Sequence, residues 1–176
     1  WPENTIQVNG TLRYADKGAL TLIGSRGALT RASYALAQPF ELNFTAAMDR
    51  GFDFRGSNGV TVIGMLIRCS AVNNGGACLD LDEYWGPAPT PTSGVTPTPP
   101  AATPYPRQAN YFTLIGTTLS KTANAGDTCA LIRAASTVGG WIDRSSFVGC
   151  GYHFYGATTT AQYANVWSWY RNSFYT

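Results

Sequence analysis

Short runs in which apolar and polar residues alternate recur along the chain and predict β-strands. Phe52-x-Phe54 and Val60-x-Val62 are two of them, and β-branched and aromatic residues dominate the runs. Glycine-containing turn signals separate the runs, at positions 58–59, 75–76 and 139–140. The pattern therefore predicts an all-β protein and argues against a helical solenoid.

The runs also repeat at a regular distance. The segments "VTVIGMLI", "FTLIGTTL", "GGWIDRSSF" and "NVWSWYRNSF" align, which places Ile115, Ile142 and Trp169 at equivalent positions 27 residues apart. The step from Ile63 to Ile115 is 52 residues, and removing the 21-residue proline-rich stretch 86–106 leaves 31, near one period. Such a period predicts the coils of a parallel β-helix, stacked at a strand spacing of about 4.8 Å.

A family resemblance supports this fold. The stretch "GVTVIGMLIRCSAVNNGGACLDL" resembles repeats of right-handed parallel β-helix proteins of the pectate-lyase-like superfamily, and "CSAVNNGGACLDL" is similar to polymorphic outer-membrane-type repeats. The resemblance covers residues 51–176 without the proline-rich stretch, and residues 1–50 more weakly. It implies a single right-handed β-helix domain over 1–176. It says little about function, because lyases, hydrolases, viral tailspikes, adhesins and inert fibres share the fold.

The proline-rich stretch 86–106 is predicted to be a surface loop inserted in one coil. It holds eight of the ten prolines of the chain, and proline cannot donate to a strand ladder. Proline alternating with Thr, Ser or Ala favours extended polyproline II and is typical of O-glycosylated stalks. The loop resembles hydroxyproline-rich glycoprotein segments of algal and plant walls, and a bare flexible loop is the alternative. The predicted O-glycosylation sites are Thr90, Thr92, Thr96 and Thr98.

Composition narrows the class of protein. Charged residues are only 12% of the chain, the net charge is +2 and no basic run is present, which argues against nucleic-acid binding. No stretch approaches the roughly 20 apolar residues of a membrane span. The first residues lack the basic and apolar regions of a signal peptide, as expected of a mature secreted chain or a piece of a longer one. The sequons at Asn9 and Asn43 predict N-glycosylation and an extracellular location.

The four cysteines are predicted to form disulfides rather than a metal site. Neither Cys69 and Cys78 nor Cys129 and Cys150 has zinc-ligand spacing, and the single histidine cannot complete a Cys/His site. Cys69 and Cys78 bracket the turn "SAVNNGGA" and form a plausible local pair. A pair between Cys78 and Cys129 on adjacent coils is the alternative, since four cysteines allow three connectivities.

One acidic cluster is the strongest candidate for catalysis. Asp80, Asp82 and Glu83 lie in "CLDLDEYWG", and paired carboxylates on a strand face can carry out acid/base chemistry or hold calcium. The favoured interpretation is an ordinary solvated strand face beside a loop. The sequence lacks the signatures of polygalacturonase-like enzymes, and no carboxylates align at the repeat period with the basic residues Arg68, Arg133 and Arg144. The sequence thus predicts no catalytic residue, no metal and no cofactor.

Aromatic residues are the second group of candidates. Stacking on sugar rings is one interpretation, and a packing ladder is favoured because Trp141 and Trp169 lie near equivalent positions. His153 is expected to be a structural imidazole between Tyr152 and Phe154. The candidates for sugar stacking are Tyr84, Trp85, Trp141, Trp167, Trp169 and Tyr170.

These observations favour a non-catalytic extracellular structural or adhesive module of a cell-surface, fibre or virion-surface assembly. The predicted partners are carbohydrate and other copies of the chain. The alternative is a polysaccharide-degrading β-helix enzyme: a lyase, a hydrolase or a tailspike depolymerase. Self-association is expected because "NVWSWYRNSFYT" keeps its apolar rhythm without a polar cap, and an open solenoid end recruits other strands. Further chain, trimer partners or the next copy in a filament would cover that end.

Overall fold

The computed structural model describes residues 5–24, 40–82, 84–86, 105–122, 127–134, 137–156 and 165–175. All regular structure in these segments is β, which confirms the predicted all-β class. The described residues contain no helix that is long and apolar enough to cross a membrane. Most of the proline-rich stretch, including Thr90, Thr92, Thr96 and Thr98, lies outside the described residues.

Three parallel sheets make up the fold, and each contains strands from the whole length of the chain. The first sheet orders β1 (Thr5–Val8), β4 (Phe40–Phe44), β7 (Met65–Arg68), β12 (Thr118–Lys121), β15 (Ser146–Gly149) and β18 (Ser173–Tyr175). The second orders β2 (Leu12–Arg13), β5 (Met48–Asp53), β8 (Val72–Asp80), β13 (Ala130–Arg133) and β16 (Tyr152–Tyr155). The third orders β3 (Leu20–Ile23), β6 (Val60–Ile63), β11 (Ala109–Ile115), β14 (Thr137–Asp143) and β17 (Asn165–Tyr170).

The chain visits the three sheets in rotation. After β1, β2 and β3 it returns to the first sheet at β4, and this order continues to β18. Each full passage, called a coil below, therefore adds one parallel strand to every sheet. Parallel strands need such crossover connections, and the arrangement is compatible with a β-helix.

A short antiparallel pair interrupts the rotation between the second and third sheets. β9 (Tyr84–Gly86) pairs with β10 (Tyr105–Arg107), with Gly86 opposite Tyr105. The two strands bring the ends of the intervening segment together before β11 rejoins the third sheet.

The strand register corrects the predicted repeat by one residue. Ile63 pairs with Ile115, as the sequence alignment proposed. Ile115, however, pairs with Asp143, and it is Leu114 that pairs with Ile142. The reason is burial: Leu114 and Ile142 are fully buried in the core, whereas Ile115 lies on the outer side of the sheet. The later step from Ile142 to Trp169 follows the predicted 27 residues.

Aliphatic and aromatic side chains stack in ladders inside the three sheets. Ile67, Leu119 and Phe147 form one ladder across three coils, and all three are fully buried. Leu79 and Ile132 continue the core along the second sheet. Since interior residues of the inner coils meet equivalent residues above and below, one continuous core runs through the coils.

The corner after the third sheet uses a left-handed backbone in four successive coils. The φ angles there are 65° at Gly64, 55° at Gly116, 49° at Arg144 and 52° at Arg171. Glycine adopts this conformation at little cost, whereas a side chain raises its energy. The two arginines hold the strained conformation while both bind the same carboxylate, that of Asp143.

Candidate functional site

Arginine side chains pair with Asp80, a member of the acidic cluster predicted from the sequence. Asp80, the last residue of β8, has 0% exposure. Arg50 donates from Nε to Asp80 Oδ2 at 2.5 Å, and an Arg133 guanidinium nitrogen lies 3.7 Å from the same oxygen. The backbone N–H of Asp82 donates to Asp80 Oδ1 at 3.2 Å. The expectation of a solvated strand face is therefore wrong for Asp80; Glu83 lies outside the described residues.

Asp53 occupies the equivalent position one coil earlier and is also buried. The side chain of Arg55 donates to it twice, from Nε at 2.7 Å and from a terminal nitrogen at 2.9 Å, and its backbone N–H donates at 3.4 Å. Burial alone raises the pKa of Asp53, but the hydrogen bonds and charge of Arg55 outweigh burial and hold that pKa below its ordinary value. Asp53 in turn raises the pKa of Arg55.

Four charged residues stand in register along the second sheet, and we call them the charged ladder: Arg13, Asp53, Asp80 and Arg133. The expectation that no carboxylates align with Arg133 is wrong, because both aspartates stand in its register. A general acid needs a pKa raised towards neutrality, and the pKa of Asp53 moves the opposite way. The ladder is arranged to neutralise charge between coils.

A second carboxylate that pairs with arginines, that of Asp143, lies at the corner after β14. Arg171 donates to both oxygens of Asp143, at 3.2 and 3.0 Å, and Arg144 donates to Oδ2 at 3.0 Å. The Arg171 guanidinium also lies 4.4 Å from the centroid of the Tyr170 ring. The carboxylate beside Arg144 is that of its sequence neighbour and not one aligned at the repeat period, and this group ties the last two coils together.

A small polar cleft of about 270 Å³ lies beside a buried ion pair between Lys121 and Asp127. Asp127 also accepts a hydrogen bond from the backbone of Cys129 at 3.1 Å. In the parts of the chain that the structure describes, no three His, Cys, Asp or Glu side chains are grouped so that they could hold a metal ion. The cleft residues are Ser70, Ala71, Val72, Asn73, Asn74, Lys121 and Asp127.

The four cysteines form two disulfides, Cys69–Cys78 and Cys129–Cys150. The predicted local pair is thus confirmed, and the alternative between Cys78 and Cys129 is wrong. Cys69–Cys78 closes the turn between β7 and β8 within one coil, whereas Cys129–Cys150 connects the starts of β13 and β16 on adjacent coils. Two disulfides indicate a non-reducing environment.

Aromatic rings fill the interior of the last coil, and we call them the aromatic end cluster. Phe154 meets Trp167 and Trp169 with ring centroids 4.9 and 5.3 Å apart. Phe174 stacks on the buried Phe147 at 5.2 Å. Trp169 is 37% exposed and Phe174 is 52% exposed. The members of the cluster are His153, Phe154, Trp167, Trp169 and Phe174.

The predicted tryptophan stack is wrong, because the two tryptophans lie on opposite sides of the sheet. Trp141 pairs with Ser168 and is 47% exposed on the outer side, whereas Trp169 pairs with the buried Ile142. The side chains of Tyr84 and Trp85 lie outside the described residues. Trp167 and Trp169 are two positions apart and therefore share one face of β17, and of the two only Trp169 is exposed.

His153 packs against aromatic rings, although not those of its chain neighbours. Its ring lies 6.3 Å from Phe147 and 5.5 Å from Phe174, and Nε2 is 3.0 Å from the carbonyl oxygen of Tyr175. The histidine therefore links β16 to β18 inside the last coil, instead of lying between Tyr152 and Phe154.

The two sequons differ in their surroundings. Asn9 is exposed just after β1, and Thr11 donates from its hydroxyl to the Arg50 carbonyl at 2.7 Å. Asn43 is half-buried in β4, in register between Gln7 and Arg68. Of the two, Asn9 offers the more accessible amide.

A comparison with protein-family models finds no match to this chain. Comparisons with curated proteins and with solved structures find no significant match either. The interpretation of function therefore depends on the fold and on the residues described above.

Proposed function

We propose that this chain is a non-catalytic, extracellular structural or adhesive module built as a right-handed parallel β-helix of about 27 residues per coil, of the pectate-lyase-like type. The observation that carries the proposal is the exposure of the aromatic end cluster, with Trp169 at 37% and Phe174 at 52%. Contiguous exposed apolar surface is typical of a contact site for another macromolecule.

The pairing of the aspartates with arginines supports a non-catalytic role over the enzyme alternative. The candidate acid, Asp80, is fully buried and lies within hydrogen-bond distance of Arg50. A glycosidase or lyase needs carboxylates that reach substrate, at separations suited to the reaction. The ladder instead fits a rigid rod in which charges between coils neutralise one another.

The strands around the aromatic end cluster support self-association. Among the described strands, β16, β17 and β18 each pair with one neighbour, namely β13, β14 and β15. β1, β2 and β3 lie at the opposite edges of the same three sheets. Where no further chain covers the last described coil, a second copy can add its first coil there, burying the rings and pairing the backbone groups at the sheet edges.

Sedimentation velocity of the 176-residue chain tests the self-association. We expect concentration-dependent assembly from micromolar to tens of micromolar, and we expect Phe174→Lys to abolish it because a charge then lies among the rings. Tyr111→Lys is the matched control, since Tyr111 is 70% exposed and lies outside the cluster. A stable monomer at all concentrations, or equal loss in both variants, contradicts the proposal.

Incubation with uronic-acid polymers and neutral polysaccharides tests the absence of catalysis. We expect neither unsaturated products nor new reducing ends. Cleavage that Asp80→Asn abolishes, in protein whose circular dichroism is unchanged, establishes the enzyme alternative instead.

The glycan part of the proposal concerns Asn9, Asn43 and, in the proline-rich stretch, Thr90, Thr92, Thr96 and Thr98. Peptide mapping of the native protein should return added hexose or pentose mass on residues 86–107 and N-glycan on the peptide that contains Asn9. Unmodified masses for both peptides contradict glycosylation and weaken the extracellular assignment.

A further inference from the structure

The outer side of the third sheet carries the same three-residue pattern in three successive coils. β3, β6 and β11 contain Thr-x-Ile followed by glycine, in the segments "LTLIG", "VTVIG" and "FTLIG". The strands are in register, so the threonines form one row and the isoleucines a second, parallel row. The rows are Thr21, Thr61 and Thr113, and Ile23, Ile63 and Ile115. We call these six residues the Thr-Ile array.

The array is directed outward because the residues between its members, Leu22, Val62 and Leu114, pack into or against the core. In β6, Val60 and Val62 are 1% and 0% exposed while Thr61 and Ile63 are partly exposed. Phe112 and Leu114 are buried in the same way beside Thr113 in β11. Alternation in a strand sends neighbours to opposite faces, so the array lies on one surface above a packed core.

The geometry of the array is regular and stiff. Parallel strands place equivalent side chains about 4.8 Å apart between coils, and residues two apart on one strand are about 6.6 Å apart. Both residue types are β-branched and strongly restricted at χ1. The hydroxyl and methyl groups are thus held on a two-dimensional grid before any partner arrives, which lowers the entropic cost of binding.

The chemistry of the array selects an uncharged and periodic partner. None of its six residues carries a charge, so a charged ligand has no pairing group there. The next coil ends the pattern, because Trp141 stands in register with Thr113 and Asp143 with Ile115. The array therefore offers hydroxyl groups and methyl groups at fixed intervals and nothing else.

We propose that the Thr-Ile array binds the surface of ice. The spacing between coils is close to one repeat distance of hexagonal ice, so the single row of threonine hydroxyls can take lattice positions while the methyl groups of the isoleucine row occupy gaps between water molecules. A face whose side chains are already ordered gains from many weak contacts at once. The inference uses a surface separate from the aromatic end cluster and does not depend on the proposed self-association.

Ice recrystallisation and thermal hysteresis of the folded 176-residue chain test the proposal. We expect the wild type to slow crystal growth at micromolar concentration. Thr61→Lys, at the centre of the array, should raise the concentration needed by at least tenfold. Thr118→Lys is the matched control, because Thr118 lies on β12 of the first sheet, next to the buried Leu119, and outside the array. The control should keep the wild-type activity.

Two milder variants keep the test independent of folding. Thr113→Val removes a hydroxyl and Thr113→Ser removes a methyl, both with little change of shape, and each should weaken the activity by several fold at an unchanged unfolding midpoint. The proposal is overturned if the wild type is no more active than an inert globular protein. It is also overturned if Thr61→Lys and Thr118→Lys behave alike, or if the chain binds microcrystalline cellulose through Thr61 and leaves ice growth unaffected.

Discussion

Phe147 and Phe174 have the same side chain, occupy the same ladder and stack on each other, yet their environments differ completely. They are paired in register on β15 and β18, with ring centroids 5.2 Å apart. Phe147 is 0% exposed and Phe174 is 52% exposed. Phe147 lies between the coil of Leu119 and the coil of Phe174, whereas Phe174 has a described neighbour on one side only. In this fold the neighbouring coils, rather than the residue type, decide how much a side chain stabilises the protein.

The arginine-paired carboxylates of Asp80 and Asp143 show the same difference between the inner coils and the last coil. Asp80 lies between the coils of Asp53 and Arg133, and its partners Arg50 and Arg133 are mostly covered. Asp143 pairs with Arg144 and Arg171, whose side chains are about half-exposed. Water competes more strongly for the second group, so we expect inner coils to gain more from an ion pair than the last coil does.

Truncating the two phenylalanines should give the largest contrast. We expect Phe147→Ala to lower the free energy of unfolding by about 3–5 kcal/mol, the usual cost of a buried Phe→Ala change. Phe174→Ala should cost about 1 kcal/mol, because much of its ring already contacts water. Urea unfolding of both variants measures the difference. Equal losses would show that Phe174 is covered in solution, by another copy or by other chain.

Removing each disulfide should separate the last coil from the inner coils. The Cys129→Ser/Cys150→Ser variant opens a loop with a sequence separation of 21, and the Cys69→Ser/Cys78→Ser variant one of 9. Loop entropy predicts losses of about 3 kcal/mol for each, slightly more for the longer loop. Hydrogen exchange should show that the first variant loses protection mainly in β16–β18. Protection lost evenly over all coils in that variant would contradict a separable last coil.

Neutralising the two aspartates should give a smaller contrast. Asp80→Asn leaves Arg50 and Arg133 facing a neutral group in a buried site, and we expect a loss of about 2–3 kcal/mol. Asp143→Asn should cost less than about 1 kcal/mol, because exposed arginines are readily hydrated. Thermal unfolding at neutral pH compares the variants. The reverse order would mean that the corner after β14 is less accessible to water than its arginines suggest.

The pH dependence of stability should give the smallest effect. The pKa of Asp53 is lower in the folded protein than its ordinary value of 3.8. Its contribution is therefore complete above that value and is lost as the pH falls below it towards the folded pKa. Acid titrations of stability should show a shallower decline below about pH 4 in Asp53→Asn than in the wild type. Parallel titration curves for the two proteins would place the acid sensitivity elsewhere.

Much of the architecture follows from local pattern alone. Alternation predicted strands such as Val60–Ile63, and the spacing of repeated segments matched Ile63 with Ile115. The turn bracketed by Cys69 and Cys78 predicted the disulfide that forms there. These features are predictable because each depends on residues close in sequence or on a repeated motif, and a strand has only two faces.

The candidate site was less predictable because it depends on the register between neighbouring coils, whose paired residues are far apart in sequence. Asp53 and Asp80 are 27 positions apart, and only strand pairing places them together with Arg133. A shift of one residue exchanges the two faces of a strand, which is why the sequence alignment of Ile115 with Ile142 failed and why Trp141 was assigned to the wrong side.

The sequence by itself determined the strands, their repetition, the local disulfide and the three Thr-x-Ile segments. The tertiary structure alone decided which charges meet, which rings the last coil exposes, and that the Thr-x-Ile segments lie side by side on one surface. The physical reason is that pattern fixes which face of a strand a side chain occupies, whereas its free energy depends on the neighbours that stacked coils place above and below it.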